Sequence, residues 1–279
     1  NLALDQINKS TFHVTNIEKK RVKRNPLAPF TTSTLQQDAS NKLGFGASRT
    51  MRIAQKLYEG INIGSETTGL ITYMRTDGVQ LSSQAVEELR NEISNRHGKS
   101  YIPDNPRVYK SKAANAQEAH EAIRPTDIAR DPESIANYLD AEQLKLYDLI
   151  WKRTISSQMQ SAELDETAAD ISSKDQSITF RANGSQVIFP GFFVYRDKED
   201  DRLLPNLNEK EEVDLSKVES DQHFTQPPPR YTDASLIKKM EELGIGRPST
   251  YASILQVLIN RNYVEKEKGK HIPQERGRI

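Results

Sequence analysis

The stretch that decides the architecture is ELDETAADISSKDQSITFRANGSQVIFPGFFVY, residues 163–195. It has no helical period. Thr, Ile, Phe and Val recur among polar residues, and Lys174-Asp175 and Asn183-Gly184 interrupt the run as turns between antiparallel strands would. Most of what precedes it reads as helix. Ser33 and Thr34 each stand three residues before a Gln, a capping-box pattern, and Gly44 closes that helix. Ser48 to Gly60 follows, with Met51, Ala54, Leu57 and Tyr58 at helical spacing. Residues 82–97, 116–123 and 141–158 are predicted helices, the last burying Leu144, Tyr147, Ile150 and Trp151, and Leu70 to Met74 is a short apolar strand. Further out, Thr11, Phe12, Val14, Thr15 and Ile17 predict a strand, and five of residues 19–24 are Lys or Arg, read as a basic loop. Beyond the hairpin, an acidic loop (196–221) and Pro227-Pro228-Pro229 lead to helices over 232–244 and 249–260. A strand pair, Tyr263-Val264 and His271-Ile272, follows. The order is β, α, β, α: a helical insert within a β region, followed by a further helical element.

At 279 residues the chain has room for about two domains. Only 35% of residues are hydrophobic, against a usual ~45–50%, so the molecule is either extended or part of something larger. The opening Asn1-Leu2 and the close at Arg278-Ile279 are read as those of a fragment. No apolar run approaches the ~20 residues of a membrane span, and no signal peptide opens the chain. The absence of cysteine excludes disulfide scaffolds, Cys-ligated zinc and thiol catalysis. Lys and Arg total 39, as do Asp and Glu, which taken as a sum argues against a polyanion partner. The sum conceals a pattern: a balance of +6 over residues 1–60, zero over 61–130, −10 over 131–225 and +4 over 226–279. Local patches, not totals, set the field a partner meets.

Three segments carry chemistry. In Ile71-Thr-Tyr-Met-Arg-Thr-Asp77, Tyr73 and Arg75 are two residues apart, on one face of a strand. A phenol of pKa ~10 needs a base or a cation to act as a nucleophile, and Arg75 can supply the cation while gripping phosphate oxygens. Taken alone, a strand tyrosine that simply packs is the commoner case. In Ala119-His-Glu-Ala-Ile-Arg124, His120 and Arg124 are four apart and share a helix face, able to meet a phosphate or merely to lie on a wet surface. No second His stands four residues away, so this is no zinc site. In Gly244-Ile-Gly-Arg-Pro-Ser-Thr-Tyr251, Pro248 suits a first helical turn. Arg247, Ser249 and Thr250 there make a phosphate seat or a plain helix cap, in a winged-helix-like layout.

Together, Gly69-Leu-Ile-Thr-Tyr-Met-Arg-Thr-Asp77, Ala119-His-Glu-Ala-Ile-Arg-Pro-Thr126 and Gly244-Ile-Gly-Arg-Pro-Ser-Thr-Tyr-Ala-Ser253 resemble the type IA DNA topoisomerases of bacteria. Pro29-Phe-Thr-Thr-Ser-Thr-Leu-Gln36 and Ala54-Gln-Lys-Leu-Tyr-Glu59 fit the same family. The likeness runs in order over nearly the whole chain. It implies that Tyr73 attacks a phosphate of single-stranded DNA to give a transient 5′-phosphotyrosine, that religation needs no ATP, and that negatively supercoiled DNA is relaxed by strand passage. It implies Arg75 as a charge stabiliser, with His120 also at the chemistry. Arg124 would lie near the scissile phosphate or the DNA backbone, and Asp77 close to the tyrosine, where it could position His120 or Arg75. Arg247, Ser249, Thr250 and Arg261 would grip the strand, and Gln55 and Glu59 are further candidates on the helix leading to the tyrosine. Gly78 stands where the family commonly has Ser, which is expected to loosen the turn. The implied fold is multidomain: an antiparallel β arch from residues 1–32 and 161–230, a mainly helical insert over 33–160 carrying the tyrosine, and the start of a helical, winged-helix-like domain over 231–279. Mg²⁺ is implied for the intact enzyme, with its ligands in an N-terminal Toprim domain. No Asp-x-Asp-x-Glu occurs here, so no metal is expected on this chain. The expected partners are single-stranded regions of DNA and the Toprim domain, without membrane, in the cytoplasm at the nucleoid. The competing reading is a non-catalytic winged-helix DNA-binding module in which Tyr73 and His120 only pack.

Overall fold

The computed structural model describes residues 2–110, 120–196 and 201–279. Its helices and strands, in chain order, begin with α1 (Leu2–Lys9), β1 (Phe12–Arg24), α2 (Thr32–Asp38) and α3 (Ala47–Glu59). After β2 (Ile61–Asn62) and β3 (Thr67–Thr68) come α4 (Ser83–His97) and α5 (Ala141–Ser157). Then follow β4 (Ala162–Ser173), β5 (Thr179–Phe189), β6 (Glu212–Val213), α6 (Asp233–Glu242) and α7 (Tyr251–Asn260). The hairpin β7 (Val264–Glu267) and β8 (Lys270–Pro273) and the short α8 (Glu275–Arg278) close the chain. The fold mixes helix with antiparallel sheet. It forms two compact units, Asn1–Asn25 with Gln160–Pro227, and Pro26–Met159 with Pro228–Ile279.

The first unit is a sheet of order β5-β4-β1-β6. Two expectations are corrected here. The basic run 19–24 is not a loop but continues β1, antiparallel to β4 from Phe12↔Ser173 to Arg24↔Ala162. The reason is the partner's charge. Arg21 pairs with Asp165 through two bonds of 2.7 and 2.8 Å, Lys23 with Glu163 at 2.9 Å and Arg24 with Glu166 at 2.7 Å. Cross-strand opposite charges favour the ladder where like charges would oppose it. The second concerns the turns. Residues 174–178 do turn, but Asn183-Gly184 lies inside β5, opposite Ala168 and Thr167. There the chain at 202 crosses the strand, and Ser185 and Arg202 exchange backbone bonds of 2.8 and 3.0 Å. Phe12 and Val14 are buried, and Phe12 packs on Phe180 at 5.5 Å between centroids. Residues 197–200 of the expected acidic loop lie outside the described residues.

In the second unit α4, α5 and α6 each open on a side-chain cap. Asp140 and Gln143 form the capping box of α5, Ser82 caps α4 and Thr232 caps α6. The cap of α2 is Thr31 with Thr34, earlier than the Ser33 and Thr34 pattern suggests, and a π turn over Ala39–Leu43 intervenes before Gly44 closes it in the left-handed region. Core aromatics satisfy their polar ends inside: Trp151 Nε1 donates to the Ile128 carbonyl (2.9 Å) and Tyr147 Oη to that of Arg130 (2.7 Å). Residues 231–279, read as a separate element, pack here through a cluster of Ala47, Ile237, Met240, Tyr251 and Leu255.

Two more expectations change. Leu70 to Met74 is not a regular strand, since only Ile71 forms a bridge, to Pro125. The helix over 116–123 is not seen either. Residues 116–119 lie outside the described residues, and from Glu121 the chain is extended, with bridges Glu121↔Gln80 and Ile123↔Phe30. Both segments give up local structure to pair with each other.

Candidate active site

The site is assembled from the start of α2 outward. Thr32, wholly buried, donates its hydroxyl to the Met74 carbonyl (2.7 Å) and accepts from the Thr76 N–H (2.8 Å). The Thr32 N–H bonds the Thr76 carbonyl at 2.9 Å. Met74 and Thr76 are thereby drawn inward, at 1% and 2% exposure, while Tyr73 (46%) and Arg75 between and beside them face solvent. The alternation expected of a strand is achieved without one. Thr32→Val keeps the shape but leaves the Met74 carbonyl and Thr76 N–H unpaired. It is expected to cost about 1–3 kcal/mol, measured by urea denaturation of the chain, and a loss within error of zero would show the hydroxyl to be dispensable.

Residues 120–126 run alongside. The Thr72 N–H bonds the Arg124 carbonyl (2.9 Å), the Thr72 hydroxyl bonds the Ala122 carbonyl (2.7 Å), and the Thr126 N–H bonds the Leu70 carbonyl (3.0 Å). At the other end Gly78 sits against His120: a Cβ at Gly78 would overlap the His120 carbonyl oxygen. The sequence suggested that glycine here loosens a turn. Instead it lets two backbones close up, and any side chain there requires the His120 segment to move. His120 itself is exposed.

Arg124 is used differently from the expectation. Its guanidinium makes a two-pronged pair with Glu121 (3.1 and 3.0 Å) and bonds the Pro125 carbonyl at 2.9 Å, leaving 15% of the side chain exposed. Glu121 also accepts the Ser82 N–H at 2.7 Å, fastening the start of α4. Burial would raise the Glu121 carboxyl, but Arg124 and the Ser82 N–H hold it below its ordinary value. Arg75, by contrast, has no carboxylate partner among the described residues.

Asp77 lies near α7. Burial chiefly raises the Tyr251 phenol, with Glu241 and Asp77 adding to the rise and Arg247 opposing it. Just before α7, the Arg247 N–H donates to the Thr250 hydroxyl (2.8 Å) and Arg247 Nη1 to the Gly246 carbonyl (2.7 Å). The helix begins at Tyr251, later than expected, and Pro248 to Thr250 form its approach turn. Arg247 and Ser249 are exposed. Arg261 caps the far end of α7, ten residues on from Tyr251 and so about 15 Å along the axis. Gln55 and Glu59 bond each other along α3 at 2.5 Å.

The structure thus brings Tyr73, Arg75, Asp77, His120 and Arg124 onto two adjoining segments, and keeps Arg247, Ser249 and Thr250 together at one end of α7. Sequence reading missed Thr32, hidden in a run of hydroxyl residues, and Tyr58, set at helical spacing with Met51, Ala54 and Leu57, is 40% exposed. A cavity of about 930 Å³ on the sheet unit, lined by Glu18, Thr167, Phe193 and Arg202 among others, contains none of the candidates. Among the described residues no three His, Asp or Glu side chains gather as a metal site would require, and no helix is long and apolar enough to cross a membrane.

Comparison with known proteins gives one consistent answer. A family model described as DNA topoisomerase matches residues 1–279. DNA topoisomerase 1 of Rickettsia felis is 53% identical over 99% of the chain, and that of Xylella fastidiosa 50% identical over 99%. The chain spans about a third of these relatives, 36% and 35% of their lengths. Full-length topoisomerase I from Thermotoga maritima superposes with a TM-score of 0.89 at 40% identity, over 99% of this chain and 45% of that one.

Proposed function

Because this chain belongs to the DNA topoisomerase family along its whole length, we propose that it is the part of a type IA enzyme that carries the nucleophile. Tyr73 attacks a phosphate of single-stranded DNA. The phenol gives up its proton as its oxygen bonds to phosphorus, the bond from phosphorus to the 3′ oxygen breaks, and that oxygen takes up a proton. One phosphodiester is exchanged for another, so resealing needs no ATP. The observation that carries this is the exposure of Tyr73 and Arg75 on a backbone pinned by Thr32 and Thr72. A group presented to a reacting partner is held this way, whereas the competing packed-module reading calls for these side chains to be buried.

Arg75, unpaired among the described residues, stabilises charge developing on the phosphate, and His120 faces the same reaction. Such electrostatic help is commonly worth several kcal/mol at the transition state. Asp77 stands between this segment and α7, and Arg247, Ser249 and Thr250 at the approach to α7 hold the strand's phosphates, as exposed cations and hydroxyls near a helix start do. Arg261 extends that track. Gln55 and Glu59 line it from α3. Arg124 serves first as a strut through Glu121 and second as a DNA contact. The sheet unit acts as the arch, residues 33–160 are the helical insert in its sequence, and residues 231–279 begin the next helical domain. Mg²⁺ belongs to a Toprim part supplied by the rest of the protein. The whole enzyme relaxes negatively supercoiled DNA in the cytoplasm, where the chromosome lies.

The test is reconstitution. Alone, the chain is expected to bind single-stranded oligonucleotides weakly and with steep salt dependence, and to leave supercoiled plasmid unrelaxed. Adding the N-terminal part is expected to restore relaxation and a covalent product. Efficient relaxation by the chain alone would show that it needs no such partner.

A further inference from the structure

The last turn of α3 places Tyr58 beside the nucleophile. The two rings lie 5.3 Å apart between centroids at 66°, edge to face, the arrangement that aromatic quadrupoles favour. The backbone enforces the meeting. After α3 the chain makes the small β2–β3 hairpin and returns against the helix end, where the Leu70 N–H bonds the Leu57 carbonyl at 2.7 Å. Gly69 permits this approach, since a Cβ there would meet the Tyr58 carbonyl oxygen at 2.5 Å. The Tyr73 backbone is fixed through Met74, Thr72 and Thr76. No described residue hydrogen-bonds the Tyr73 hydroxyl, so the direction of the side chain depends on what its ring touches.

We propose that Tyr58 is a positioning residue: its ring holds the Tyr73 side chain in the orientation that presents the hydroxyl to the phosphate. Tyr58 acts through Tyr73, and the proposal rests on the reading that Tyr73 is the nucleophile. A nucleophile displaced by about 1 Å loses roughly a hundredfold in rate, and a ring left to rotate freely samples such displacements.

The test uses the full-length protein and a 3′-labelled single-stranded oligonucleotide. Three readouts are needed: single-turnover rate of covalent adduct formation, oligonucleotide Kd by anisotropy, and melting temperature. Tyr58→Ala is expected to slow adduct formation by about tenfold or more with Kd and melting temperature little changed. Tyr58→Leu, which keeps bulk and guards against a folding defect, is expected to be slowed as well. Tyr58→Phe retains the ring and is expected to restore the rate. Wild-type rates in the Ala and Leu variants overturn the proposal. So does a Phe variant as slow as Ala, which assigns the effect to the hydroxyl, or a loss of rate that merely tracks a loss of binding. An adduct that survives Tyr73→Phe would instead remove the underlying assignment, so the two failures are told apart.

Discussion

Tyr73→Phe in the full-length protein is expected to abolish the covalent DNA adduct on denaturing gels while leaving non-covalent binding of single-stranded oligonucleotides within about twofold. The change removes one oxygen. The phenylalanine ring keeps the edge contact with Tyr58 at the same place, and the backbone bonds from Thr32 and Thr72 do not involve the side chain. Half-exposed as Tyr73 is, at 46%, losing its hydroxyl leaves no buried partner unpaired and costs little stability. A covalent mechanism without its attacking atom loses all of the chemistry, not a fraction of it, so the adduct is expected to fall by at least about a thousandfold. An adduct of undiminished yield would move the nucleophile to another residue.

Asp233→Ala is expected to destabilise the helical unit by about 3 kcal/mol, read from chemical denaturation of the chain. The carboxylate is 6% exposed and accepts from Lys266 and His271, each at 2.8 Å, and from the Ala47 N–H at 3.2 Å. It therefore joins α6, the β7–β8 hairpin and the first residue of α3, where a helix start favours negative charge. Removing it strands a buried imidazole and a lysine together, and breaking one side of such a buried group typically costs ~3–5 kcal/mol. The lower figure applies because Lys266 is one-third exposed. Burial would raise this carboxyl, yet bonds from His271, Lys266 and Ala47 and the charge of Lys266 outweigh it and bring it to about 2 from 3.8. With the folded value below the unfolded one, this part of the stability is fully present above the ordinary value and is lost as pH falls towards 2. The variant's deficit is expected to shrink over that acid window, and a deficit independent of pH would assign it to packing.

How much of this was legible in the sequence depended on range. Helices with local punctuation were readable because their signals lie within a few residues: Ser82 and Gly98 bound α4, and Asp140 opens α5. Residues 19–24 failed because the acidic strand that straightens them lies some 140 positions away. Residues 120–124 failed similarly. Their composition suits a helix, but Phe30, Thr72 and Gln80 offer backbone partners that only the tertiary fold supplies. Tyr73 and Arg75 were found by motif and spacing, and their shared exposure survived the loss of the strand that was expected to create it. The Glu121 partner of Arg124 was within reach on the expected helix too, being three residues away, but spacing alone does not rank a neighbouring carboxylate above a phosphate.

The pairing of β1 with β4 has a consequence for how the chain is made. Arg24 faces Ala162, and the Ser161 hydroxyl bonds the Asn25 side chain at 2.7 Å, so the points where the chain leaves the sheet unit and re-enters it are neighbours. Synthesis proceeds from the N-terminus, and β1 therefore waits for more than a hundred residues before its partner exists. An unpaired strand is a template for wrong pairing, and lysines along it are a known deterrent. The positive charges that pair β1 with Glu163, Asp165 and Glu166 in the sheet are of the kind that discourages wrong pairing of an open strand, so the residues that mark the register also suit the interval before the partner is made.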